Sequence, residues 1–190
     1  MNERYMDWDD VATQRLVIKI ASERLEIPPP QVMARMSALA ALIPQLGNRF
    51  ETIMMDVLVD LIRDPDHTAE IIVTLALMLP GADVEKIVTT NPRIVTQLTV
   101  GELQRRIAVL EDLAENSSAT LTGPLKDVGR LCSREPRILN VDDLSRVLAD
   151  VERLIPKKNP VDTFFGNPGV FLNMEDQGMY SSAERGSDYD

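Results

Sequence analysis

One histidine and one cysteine are all the imidazole and thiol that this 190-residue chain contains. His67 and Cys132 stand 65 residues apart, in what read as different helix pairs, so a thiolate–imidazole pair is not expected. No cluster of Cys and His has metal-ligand spacing, and no glycine-rich run offers a phosphate cradle. Asp56, Asp60 and Asp64 recur every fourth residue, which lines three carboxylates along one helix side. Without further oxygen ligands they read as a solvated face, not a cation cage. Cys132 is alone, so an internal disulfide is excluded, and it falls at an apolar helical position that suits a buried small side chain. The expectation is a protein without catalysis, cofactor or metal.

The chemistry that remains is cationic. Arg93 and Arg137 each directly follow a proline, Arg130 and Arg134 lie one helical turn apart, and Lys86 matches Arg130 in a parallel segment. Along one edge of a stack, Lys86, Arg93, Arg130, Arg134 and Arg137 would form a discontinuous basic track suited to the phosphates of double-stranded DNA or structured RNA. Glu85, Glu102, Glu135, Asp142, Asp143 and Glu152 are interleaved with these bases. The same arginines can therefore pair across neighbouring segments instead, leaving a scaffold that binds a protein partner. The formal charge is -10, but residues 80–168 carry 13 acids against 12 bases, so the acidity belongs mainly to the flanks. Aromatics make up only 4% of the chain, too few for a base-stacking platform.

What must position these side chains is a spacing used three times. Pro80 and Pro92, Pro124 and Pro136, and Pro156 and Pro168 are each 12 residues apart. Val84, Ile87, Val88, Ile94 and Val95 keep step with Val128, Leu131, Cys132, Ile138 and Leu139, while the third segment keeps Phe164, Val170 and Phe171. The leading proline is expected to open a short helix, and the second to end it. Asp83, Asp127 and Asn159, each three residues after the leading proline, can bond the free donors of a helix start. A longer helix follows, announced by Thr99 with Glu102 and by Asn140 with Asp143. Leu103, Ile107, Leu110 and Leu113 stripe the first such helix, and Leu144, Leu148, Val151 and Leu154 the second. Each segment has an apolar face that it cannot cover alone, so stacking is expected. The fold class is all-α: a superhelical array of short helical repeats, of either hand.

Upstream, Leu16, Ile20 and Leu25 are expected to face the core from a helix starting near Val11, followed by a stiff Pro28–Pro30 connector. Helices are expected over 31–46, with Pro44 kinking or stopping it, and over 50–62. Asp66 is placed to cap the next, nearly all-apolar helix ending at Met78, the expected centre of the core. Pro44, 36 residues before Pro80, could lead a further degenerate segment. The organisation reads as a loose N-terminus (1–10), N-terminal helices (11–78), the array (79–172) and an acidic flexible tail (173–190). Phe164, Val170 and Phe171 would be partly exposed at an uncapped end.

The register of Leu79-Pro80 through Asn91-Pro92-Arg93-Ile94-Val95, repeated at Pro124 through Glu135-Pro136-Arg137-Ile138-Leu139 and at Ile155-Pro156 through Asn167-Pro168, resembles the motif of the mitochondrial transcription termination factor family. The resemblance implies a superhelix of three-helix units holding double-stranded DNA or RNA on a basic concave side, in mitochondria or chloroplasts. This chain departs from it in being acidic and short and in showing no transit segment. No stretch reaches the 18 apolar residues of a membrane span, so no membrane insertion is expected.

Overall fold

A computed structural model describes residues 10–50, 53–115, 117 and 127–176, and every regular element among them is helical. The order is α1 (Asp10–Leu25), α2 (Pro29–Leu42), α3 (Pro44–Gly47), α4 (Met55–Arg63), α5 (Pro65–Met78), α6 (Val84–Thr90), α7 (Arg93–Gln97), α8 (Val100–Glu115), α9 (Val128–Arg134), a 3-10 turn (Pro136–Asn140), α10 (Leu144–Leu154), α11 (Pro160–Gly166) and α12 (Pro168–Asp176). No helix among the described residues is long and apolar enough to cross a membrane.

Short polar side chains start these helices. Asp83 accepts from the Lys86 amide at 2.9 Å, Asp127 from Arg130 at 3.0 Å, and Asn159 from Val161 and Asp162 at 2.9 and 3.1 Å. At α8, Thr99 and Glu102 close a reciprocal capping box: the Thr99 amide donates to Glu102 Oε2 at 2.9 Å, and the Glu102 amide to Thr99 Oγ1 at 3.2 Å.

The prolines act differently from expectation. Pro80 and Pro156 lie in turns before their helices rather than in the first turn, so they stop α5 and α10, while the aspartate or asparagine does the starting. Gly81, at φ 86, supplies the left-handed residue that the first of these turns needs. Pro92 and Pro136 do end α6 and α9, and they also lead α7 and the 3-10 turn, where a missing amide costs nothing. Pro124 lies outside the described residues. Asp64, not Asp66, caps α5, accepting from the His67 amide at 3.0 Å, because Pro65 already takes the first helical position. Asp143, not Asn140, caps α10. Pro44 breaks the expected 31–46 helix into α2 and the single turn α3, and the helix expected from Phe50 starts only at Met55. Residues 173–176, expected in a flexible tail, extend α12.

Packing joins elements of like position. α3 packs on α6 and α6 on α9; α1 packs on α4 and α4 on α7; α2 packs on α5 and α5 on α8. Pro44 thus leads elements that meet the Pro80 segment in order. Gly129 allows the α6–α9 approach, since a Cβ there would sit 3.2 Å from the Ala82 nitrogen and 3.3 Å from the Pro80 oxygen. Ile87, Val88, Ile94 and Val95 are buried together with Leu131, Cys132, Ile138 and Leu139. In α1 the buried residues are Val17 and Ala21, with Leu16 turned outward; in α10, Val147 joins Leu144 and Val151 while Leu154 is exposed. At the C-terminal end Phe164 and Phe171 are buried, contrary to expectation, together with Phe165, while Val170 is 55% exposed where Ile94 and Ile138 are covered.

Candidate functional site

The five basic residues of the expected track do not share one fate. Lys86 and Arg93 are exposed, and neither side chain has a partner among the described residues. Arg130 pairs with its own cap, Nε to Asp127 Oδ2 at 3.3 Å. Arg134 reaches across to donate to the Phe165 carbonyl at the end of α11. Arg137 is clamped between Glu135, at 2.8 and 3.1 Å to its two oxygens, and Asn173 Oδ1 at 2.8 Å. Three of the five are therefore engaged within the protein, and bidentate carboxylate pairing already neutralises Arg137.

Arginines outside the track do similar work. Arg35 of α2 donates to the Ile62 and Arg63 carbonyls at 2.9 and 2.8 Å, at the end of α4. Arg106 of α8 donates to the Leu139 carbonyl at 2.9 Å, at the end of the 3-10 turn, and pairs with Asp142. Each of these arginines lies seven residues after the cap position of its helix, Pro28 or Thr99, and each serves the orphan carbonyls of an element in the following segment. Arg49 adds a bond to the Thr89 carbonyl at the end of α6, at 3.2 Å. Sequence reasoning missed these roles of Arg35 and Arg49; the signal was arginine placed to meet helix C-termini rather than acids.

The acidic residues are resolved in the same way. Asp56 pairs with Arg24, Asp60 with Arg63 at 3.2 Å, and Asp64 is a cap, so the three do not converge on a cation. No metal-binding cluster of His, Cys, Asp or Glu occurs among the described residues. Burial, helped by the charge of Asp127, pushes the Cys132 thiol up to about 12, a protonated and unreactive group.

An exposed apolar face on the neighbouring helices α2 and α5 stands out instead. Helix α5, expected to be buried nearly all round, turns one stripe outward: Val73 is 51% and Leu77 76% exposed. On α2 the only charged side chain is Arg35, which is tied to α4, so the exposed residues Ala34, Ser37, Ala38, Ala41 and Leu42 present a face without charge. It does not continue onto α8, whose exposed side carries Arg105, Glu111 and Asp112 and whose Val109 lines the far flank with Ile138 and Val141. A surface helix normally carries charge on its solvent side, and contiguous apolar exposure of this kind marks interaction surfaces. Covering Val73 and Leu77 would contribute about 3 kcal/mol of hydrophobic free energy to a complex.

Next to it lies a groove of about 440 Å³ between the end of α5, the end of α8 and the start of α9. Met78, Pro80, Ala114 and Val128 line it, and Glu111 and Glu115 stand on its rim. Both carboxylates are exposed, and neither has a partner among the described residues.

Comparisons with family models, with curated proteins and with solved structures gave no match to this chain. The likeness to the transcription termination factor family therefore rests on the proline register alone.

Proposed function

We propose that this chain is a non-catalytic helical-repeat scaffold whose segments stack into a superhelix and whose α2–α5 face binds a protein. The observation that carries the reading is the uncharged exposed surface of α2, from Ala38 to Leu42, beside the exposed apolar pair Val73 and Leu77 of the neighbouring α5. The ordered contacts from α3 to α6 to α9 and from α2 to α5 to α8 support the stacking, since nearest-neighbour packing is how repeat arrays hold together.

Nucleic-acid binding is the rival. In its favour stand Lys86 and Arg93, both exposed and unpaired among the described residues. Against it stand the internal engagement of Arg130, Arg134 and Arg137 and the lack of a cationic surplus over residues 80–168, where 13 acids meet 12 bases.

The test is titration of labelled duplex DNA and structured RNA at about 50 and about 200 mM salt, where phosphate-driven binding weakens steeply. The scaffold reading predicts no saturable binding at the lower salt. Saturable binding that falls with salt and is lost in a Lys86→Ala/Arg93→Ala variant would replace it with the nucleic-acid reading.

A further inference from the structure

The charges around the apolar face say what kind of protein it takes. We infer that the face and its groove receive a cationic amphipathic helix of a partner protein, its apolar side on Val73 and Leu77 and a lysine or arginine over Glu111 and Glu115. This rests on the scaffold reading and specifies its partner. Four observations lead to it.

First, the charges that α5 itself carries on its exposed stripe are acidic: Glu70 lies one turn and Asp66 two turns before Val73. Second, the groove at the other end of the stripe, walled in part by Met78, has Glu111 and Glu115 unpaired among the described residues at its mouth. An apolar floor under carboxylates matches the long lysine or arginine side chain, whose methylene stem is apolar and whose head is cationic. Third, the C-termini of α5 and α8 converge on this groove and add their negative dipole ends. The start of α9, the one positive end there, is already neutralised by the Asp127 cap. Fourth, a second copy of this chain would bring its own net charge of -10 against these acids, which disfavours self-association through the face. An anionic lipid surface is disfavoured for the same reason. Apolar anchors spaced three and four residues apart on a partner helix match Val73 and Leu77, themselves one turn apart on α5.

Three synthetic peptides of about 18 residues test this by fluorescence anisotropy with the full chain. One has a leucine stripe at helical spacing with lysines beside it; the second keeps the stripe and replaces each lysine by glutamate; the third keeps the lysines and scrambles the stripe. The first should bind, and Leu77→Asp should weaken it about tenfold or more, as loss of a central anchor does. Glu111→Gln/Glu115→Gln should weaken it about fivefold and flatten its salt dependence. All these side chains are exposed, so circular dichroism and melting of the variants should match the unaltered protein. The scrambled peptide should bind at least tenfold more weakly than the first. Equal binding of the glutamate peptide would overturn the cationic partner while leaving the protein-binding face intact. Binding of the lysine peptide that Leu77→Asp does not change would overturn the face itself, and failure of the first peptide to bind at all would overturn the inference.

Discussion

Arg106 is only 13% exposed at its side chain, and its guanidinium satisfies the Leu139 carbonyl while pairing with Asp142, so its removal leaves a helix-end acceptor without its donor. Arg106→Ala should cost about 1–3 kcal/mol in urea unfolding, the range for hydrogen bonds to charged groups. Arg93→Ala, which removes an exposed side chain without a partner among the described residues, should stay within about 0.5 kcal/mol. Equal losses for the two would refute the division between clasping and free arginines. Cys132 is the other residue whose behaviour follows from its surroundings. With its thiol held up near 12, the thiolate population at pH 8 is negligible, so a thiol-alkylating reagent should label the native chain only at the rate of unfolding and label it at once in denaturant.

At the scale of elements, caps and close approaches set the boundaries. Asp83→Ala and Asp127→Ala should each destabilise by about 1 kcal/mol through loss of the helix start. Gly129→Val would thrust a branched side chain at the Pro80–Ala82 backbone and cost about 1–3 kcal/mol as α9 is pushed from α6. Glu102 is held below the usual carboxylate range, first by the Thr99 amide, then by the Thr99 hydroxyl, and finally by Arg106 and Arg105. Since its folded pKa is depressed, the capping contribution is complete above the unfolded value of 4.5 and is lost as pH falls through the lower folded one. A proton titration of Glu102 followed by NMR should show a midpoint below 4.5 that returns toward it in Thr99→Ala.

The same elements show what the chain's letters disclosed. Asp83, Asp127, Asn159 and the Thr99–Glu102 pair were legible because a cap is a local event between residues two or three apart. The orientation of α5 was harder to read, because Asp66 and Glu70 mark its outer stripe only in the first turns and beyond them Ile71–Met78 is apolar nearly all round, so the packed neighbours decide that Val73 and Leu77 are left uncovered. The role of Arg134 was equally hidden, since its acceptor, the Phe165 carbonyl, is 31 residues away and a backbone oxygen has no residue type to reveal it.

For the whole molecule, arginine serves cohesion more than display. Arg35, Arg49, Arg106 and Arg134 each tie a helix end in another segment, and the basic track thins to Lys86 and Arg93. What is left facing outward on α2 and along Val73 and Leu77 of α5 is uncharged, with Asp66, Glu70, Glu111 and Glu115 at its ends. The most direct measurement of this account is the affinity of the lysine-flanked leucine peptide for the intact chain and for Leu77→Asp, set beside the affinity of each for duplex DNA at about 50 mM salt. Peptide binding that drops about tenfold in the variant, with no saturable DNA binding by either, is the predicted result. Salt-sensitive DNA binding by both proteins, with the peptide indifferent to the substitution, would contradict it.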